Sequence, residues 1–298
     1  MVATRRLNEL ADEALSLLRL PGGPVVVALS GGADSAALAY LGVRAGLTIR
    51  AVHVNHGFPA SGRLADAASE IADHLDMTLE ILTVEVAEGP SPEEMARNAR
   101  YHVLEGVEGP VLTAHTRDDT VETVLINLIR GTGLDGLGGI PVFRAPNIHR
   151  PMLEITREKT REMATLAGLG FLDDPMNQDL TVTRNRVRHR LLPVLREFNP
   201  KVDESIARAA AAVRAEIDHI DRAYPDIDLG GELATAVVVA LPRPVASRVV
   251  RRWLAAHEVA VTADTVDRVW SVAKGETSRQ DLNGGRSVVR REALLAIE

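Results

Sequence analysis

The hexapeptide SGGADS, Ser30–Ser35, stands directly after an apolar run, PVVVAL, and directly before a segment with helical spacing, residues 35–44. A short valine-rich run of this kind suits a strand covered on both faces of a parallel sheet. Gly31 and Gly32 let the backbone turn tightly and bring its N–H groups close to an anion. The helix that follows aims its positive end at the same place. Ser30 and Ser35 add hydroxyl donors for phosphate oxygens. Asp34 is out of keeping with them, because a carboxylate repels phosphate unless a divalent cation lies between. The hexapeptide lacks the Gly-Lys-Ser/Thr ending of a Walker loop and is not a G-x-G-x-x-G dinucleotide turn. The competing reading, a plain glycine turn capped by Asp and Ser, does not explain the strand and helix on either side.

Around this loop, strand and helix alternate. Helices are predicted at 7–20, 35–44, 64–75, 92–105 and 118–129, and strands at 24–29, 47–54, 79–86 and 111–114. The β-α repetition predicts an α/β fold with a doubly wound, mostly parallel sheet. Residues 131–139 read as an irregular glycine-rich loop. Helices follow at 154–169, 183–195 and 202–223, then at 244–257 and 262–273, with strands at 287–290 and 293–297. The division expected is a catalytic domain over 1–200, then a linker helix and a smaller, mostly helical domain over 201–298.

Three further segments end near the loop. HVNHG, His53–Gly57, closes the second strand, although such histidines also serve as ordinary turn residues. EEMARNARY, Glu93–Tyr101, sets Arg97 and Arg100 on one helix face, where a solvated basic face is the competing reading. AHTRDDTVET, Ala114–Thr123, places His115 at a strand end and Asp118, Asp119 and Glu122 in the first turns of a helix. Capping uses only one carboxylate, so the trio calls for a cation, either a metal or the ammonium of an amine substrate.

With RGTGLDGLGGI, RPMLEITR, DDPMN and RNRVRHRLLPVL added in order, these segments span about Val25–Pro200. The set resembles the tRNA(Ile)-lysidine synthases, a family of PP-loop ATP pyrophosphatases. The resemblance implies that ATP and Mg²⁺ serve to adenylate C2 of the wobble cytidine in the CAU anticodon of tRNA(Ile). The ε-amine of L-lysine then displaces AMP. It further implies an ATP-binding set of Ser30, Gly31, Gly32, Ala33, Asp34, Ser35, His53 and Asn55, with Asp34 placing the metal. Arg97, Arg100 and His115 become the positive groups that balance charge on the phosphates. Asp118 or Asp119 holds the lysine ammonium, with Glu122 beside them. Arg184, Asn185, Arg186 and Arg188 approach tRNA phosphates or the active site, Arg190 joins them in the tRNA-binding set, and the C-terminal domain grips the tRNA. Thr116, Thr120, Pro59 and Met176 depart from the family's usual residues without removing a chemical group the reaction needs.

Composition narrows the alternatives. The chain has no cysteine, which excludes disulfides, a thiolate metal site and a catalytic thiol. Sulfur-transferring relatives of the PP-loop group are thereby disfavoured. Other adenylating synthetases of the group remain an alternative, as does a non-catalytic tRNA-binding module. The intact acidic set argues against a pure anion binder. Residues 1–150 hold 12 Lys+Arg against 19 Asp+Glu, a balance of −7, and the rest balances at 22 against 22. Basic residues cluster at 184–196 and at Arg243, Arg248, Arg251 and Arg252, as phosphate contacts or as solvated faces. No apolar stretch approaches the ~20 residues of a membrane span, and a cytoplasmic protein is expected. The oligomeric state is left open, with a homodimer among the options.

Overall fold

A computed structural model describes residues 2–57, 61–84, 92–223 and 230–298. The chain begins α1 (Val2–Leu17), β1 (Val25–Ala28), α2 (Ala33–Arg44), β2 (Ile49–Asn55), α3 (Ser61–His74) and β3 (Thr78–Thr83). It continues through α4 (Pro92–Glu105), β4 (Val111–Leu112), α5 (Arg117–Ile129), α6 (Leu134–Leu137), β5 (Phe143–Arg144), β6 (Ile148–His149) and α7 (Arg157–Leu166). The basic stretch forms one helical run of α8 (Thr183–Arg186), a π turn at Val187–Leu191 and α9 (Leu192–Phe198). Then come α10 (Val202–Ala223), β7 (Leu233–Ala234), α11 (Thr235–Ala240), α12 (Arg243–Ala256), α13 (Ala263–Lys274), β8 (Arg279–Asp281), β9 (Ser287–Arg291) and β10 (Leu294–Ile297).

The described chain divides into two compact units, Met1–Arg130 with Gly138–Ala211, and Gly131–Leu137 with Ala212–Glu298. The first unit is the doubly wound α/β fold. Its sheet has the order β3-β2-β1-β4-β6-β5, with β5 antiparallel to β6 and the other pairs parallel. The valine run explains the place of β1. Val25, Val27 and Leu29 enter one core with α1, α2 and α7, and Val26 enters the other with Tyr101, Leu104, Val111 and Ile148. Successive residues of a strand face opposite sides, so burial on both sides requires an unbroken apolar run. In α2, Ala36, Ala37 and Ala39 are fully buried and small enough to admit Met163 and Ala164 of α7 into the same core.

Chain order reverses at β1, which pairs with β2 on one side and β4 on the other. The loops after β1 and β4 therefore leave the sheet at adjacent carboxyl ends, where a crevice opens in folds of this kind.

Several elements differ from the sequence reading. The β5–β6 hairpin was not foreseen, because two-residue strands carry no periodicity. Residues 131–139 contain the short helix α6. The helix expected from 154 begins at Arg157, after Thr156 caps it by accepting a hydrogen bond from the Lys159 N–H (3.3 Å). The units divide inside α10, which carries Ile206 and Ala207 into the core formed by α5, the π turn and α9. Glu85 and Val86 of the expected third strand, and Phe58 and Pro59, lie outside the described residues.

The second unit packs α11, α12 and α13 on a four-stranded antiparallel sheet of order β7-β10-β9-β8, around Trp253, Val269, Val288 and Leu295. Strands β7 and β8 are additions to the helical domain expected. No helix among the described residues is long and apolar enough to cross a membrane.

Leu38 is fully buried in the first core. Leu38→Ala is expected to destabilise the chain by about 2–5 kcal/mol through lost burial and the cavity left behind. Urea unfolding checks this, and a loss below about 1 kcal/mol would mean that α2 does not anchor that core.

Candidate active site

The loop after β1 is held mainly by its own polar atoms. Ser30 N–H donates to Ser35 Oγ (3.1 Å), Ser35 Oγ donates to the Gly32 carbonyl (2.9 Å), and the two hydroxyl oxygens are 3.0 Å apart. The two serines thus shape the loop, in addition to being the hydroxyl donors expected for phosphate. Gly31 has φ +83°, and a Cβ there would lie 2.3 Å from the Leu64 carbonyl oxygen. Glycine is required at that position both by conformation and by space. Gly32 is the N-cap of α2 and Ala33 its first residue, so both contribute backbone rather than side chain.

A cavity of about 320 Å³ opens at the crevice. Ser30, Asp34, Ser35 and His53 line it, together with Arg97, Arg100, His115, Asp119 and Arg184. The structure therefore brings nine of the expected residues into one pocket. Asn55 lies off its wall, with Oδ1 accepting from the Gly57 N–H (2.9 Å). His53 donates Nδ1–H to the Leu29 carbonyl (2.8 Å), and burial holds its pKa below the ordinary value.

On the α4 side, Tyr101 is buried among four guanidiniums. Those of Arg144, Arg97, Arg150 and Arg100 stand 4.3, 5.0, 5.7 and 6.0 Å from its ring. Its hydroxyl accepts from Arg150 Nη2 (3.2 Å). His115 was expected as a cation, but burial, helped by Arg150, Arg97 and Arg100, holds its pKa far below the ordinary value. It is a neutral imidazole beside the Tyr101 hydroxyl, and the positive charge of this wall comes from arginine.

On the α5 side, the three carboxylates separate by role. Asp119 Oδ2 accepts from Thr116 N–H and Oγ1–H, both at 2.8 Å, closing a capping box on α5. Asp118 Oδ2 accepts from the Arg157 N–H (2.9 Å) and stays off the cavity wall. Glu122 is wholly buried and meets Arg188 Nε and Nη2 at 2.7 and 3.1 Å.

The sequence reading assigned the compensating cation to a ligand, whereas the protein supplies most of it. Arg157 reaches Asp119 at 2.8 Å and Glu122 at 3.0 Å, and its Nε lies 3.6 Å from Asp34. Arg184 lies 3.7 Å from Asp119. Burial raises the Asp119 pKa, but Arg157, the Thr116 amide and Arg184 outweigh it, so the carboxylate is held ionised. Arg157, Tyr101 and Arg150 were named only inside the segments of resemblance. The missed signal is that Arg157 sits in the first turn of α7, where a cation opposes the helix dipole.

The basic run divides by face. Arg184 and Arg188 turn inward to the acidic set, while Arg186 and Arg190 are exposed. Asn185, expected at the tRNA, is buried, and its amide donates to the Met176 and Asp179 carbonyls, both at 2.8 Å. In the second unit, Arg248 pairs with Asp221 and Asp135, Arg252 with Asp221 and Arg243 with Asp267, so most of that cluster is balanced.

Asp34 is the carboxylate at the phosphate loop. Burial raises its pKa to about 6, while the Thr160 hydroxyl and Arg157 pull the other way. No group of three or more His, Asp or Glu among the described residues is arranged to hold a metal. A single half-buried carboxylate at a phosphate loop nevertheless fits Mg²⁺, which binds through one or two carboxylates plus phosphate oxygens.

The chain matches the PP-loop domain family over residues 2–195. It is 37% identical to the tRNA(Ile)-lysidine synthase of Salinispora tropica, over 94% of this chain and 92% of that one. Identity is 35% with the tRNA(Ile)-lysidine synthase of Thermobifida fusca, over 95% and 94%. With that of Mycobacterium tuberculosis strain H37Rv it is 37%, over 91% and 90%. Among solved structures, the U34-tRNA thiolase NcsA from Methanococcus maripaludis superposes with a TM-score of 0.58 at 20% identity, covering 71% of this chain and 78% of that one. That likeness concerns the fold.

Above its folded pKa of about 6, Asp34 carries a charge that its surroundings disfavour. The unfolded carboxyl titrates near 3.8, so the folded state binds the extra proton and stability falls as pH rises from about 4 to about 6. That interval corresponds to roughly 3 kcal/mol at most. Asp34→Asn is expected to gain about 1–3 kcal/mol at pH 7.5 and to flatten that slope. Denaturant unfolding at pH 4.5 and 7.5 decides it, and an Asn variant no more stable at pH 7.5 would refute the assignment.

Proposed function

Since this chain belongs to the tRNA(Ile)-lysidine synthase family, ATP-using ligases that modify tRNA, we propose that its cavity joins L-lysine to the wobble cytidine of a CAU-anticodon isoleucine tRNA. The observation that supports this reading is the placing of Asp119. It is the α5 carboxylate on the wall of a cavity that also holds Ser30, Asp34 and Arg97.

ATP lies with its phosphates over the loop at Ser30–Ser35, against the N–H groups of Gly31, Gly32 and Ala33. His53 and Asn55 fix the end of β2 beside it. When bound through Asp34, Mg²⁺ neutralises phosphate charge. Arg97 and Arg100 stand where charge grows on the α-phosphate and the leaving pyrophosphate, and stabilise it more as the transition state forms. His115, neutral, serves as a hydrogen-bonding group there. Cytidine O2 attacks the α-phosphorus, pyrophosphate leaves, and C2 becomes electrophilic.

Asp119 then binds the ε-ammonium of lysine. The sequence alone left Asp118 or Asp119, and the engagement of Asp118 with the α7 amide favours Asp119. The ammonium gives a proton to water, the neutral amine attacks C2, and the C2–O bond breaks with AMP as the leaving group. Glu122, with Arg188, buttresses Asp119 from behind. Arg186 and Arg190 on the exposed face of the basic run approach tRNA phosphates, with Arg184 nearer the reacting groups and Asn185 holding the run in place. The region 1–200 would carry the chemistry, and 201–298 would grip the tRNA, in the cytoplasm where that substrate resides.

The test supplies Mg-ATP, labelled lysine and a CAU isoleucine transcript, with a CAU methionine transcript as control. Label is expected in the isoleucine transcript alone, with AMP and pyrophosphate released. Asp119→Asn is expected to keep tRNA-dependent pyrophosphate release and to lose about 100-fold or more in lysine transfer. ATP cleaved to AMP without lysine incorporation would send the amine assignment elsewhere.

A further inference from the structure

We propose that Arg157 is a resident cation in the seat of the substrate amine, a positioning residue that yields Asp119 Oδ1 to the incoming lysine ammonium and so sets how tightly lysine binds. This rests on the reading above that Asp119 receives the amine.

The geometry leaves the ammonium one point of entry. Asp119 Oδ2 is committed to Thr116 by two hydrogen bonds of 2.8 Å. The remaining oxygen, Oδ1, is occupied by Arg157 Nη2 at 2.8 Å, with Arg184 Nη1 farther off at 3.7 Å. An ammonium can reach this carboxylate only by sharing or displacing the Arg157 contact.

Charge points the same way. Three carboxylates, Asp34, Asp119 and Glu122, meet three guanidiniums, those of Arg157, Arg184 and Arg188, so an added ammonium keeps the cluster balanced only where a resident cation gives way. Helix α7 has no use of its own for Arg157, since a positive side chain in a first turn opposes the dipole. The side chain is also free to withdraw. It is 25% exposed, and it has other partners in Glu122 at 3.0 Å and Asp34 at 3.6 Å. The exchange is of like charge for like, so Asp119 stays ionised before, during and after lysine arrives, and no bare buried carboxylate forms.

A competing internal cation lowers apparent affinity by the fraction of time it leaves the seat open. Lysine binding is measured by calorimetry on the full chain without ATP or tRNA, where turnover plays no part. Arg157→Met is expected to bind lysine about threefold to thirtyfold more tightly than the parent. Arg157→Lys, which keeps the charge, is expected to stay within about twofold of it. In turnover with tRNA and ATP, the Met variant should show a lower KM for lysine together with a lower kcat. A merely disordered site would raise KM.

Arg157→Gln, of similar reach and uncharged, serves as the second variant if the Met protein does not melt cooperatively, and the same tightening is expected. Unchanged or weaker lysine binding in the uncharged variants, in a parent protein that does incorporate lysine into the CAU isoleucine transcript, overturns the role of Arg157 alone. A parent protein that incorporates no lysine overturns the substrate reading and this proposal together.

Discussion

The pairing of β1 with β2 on one edge and β4 on the other is the interaction from which the site follows. Parallel ladders on both edges fix β1 at the centre of the sheet, and its valine run is required because both of its faces are covered. The same pairing brings the ends of β1 and β4 side by side. The phosphate loop and the acidic corner lie more than eighty residues apart in the chain, at Ser30–Ser35 and Thr116–Glu122, yet they share one cavity wall.

Charge compensation is the second organising constraint. The α5 corner gathers carboxylates that could not stay ionised in a dry interior without partners. Arginines from α7, α8 and the π turn meet them, and a separate group of arginines surrounds Tyr101. The pocket therefore carries both signs, as a reaction of polyphosphate with an amine requires. His115 stays neutral because it lies buried on the arginine-rich side.

The sequence revealed those parts whose cause is local. The loop at Ser30–Ser35, the helices after it and the acidic corner each carry their own pattern of glycine, periodicity or capping. What could not be read depends on distant pairing. Arg157 finds Asp119 across 38 residues, and Arg188 finds Glu122 across 66. Their partners could be found only once the strands had been ordered. Asn185 misled because a polar residue in a basic run looks solvent-facing, while its amide in fact ties down two backbone carbonyls. The hairpin of β5 and β6 escaped because its strands are too short to show alternation.

One carboxylate has two duties. Asp119 closes the first turn of α5 with Oδ2 and, on the cavity wall, receives Arg157 with Oδ1. Fraying of that turn and loss of the binding geometry are thus the same event. Hydrogen exchange at the first amides of α5 would report how often the pocket exists in working form, and a ligand held by Asp119 would slow that exchange without touching the backbone.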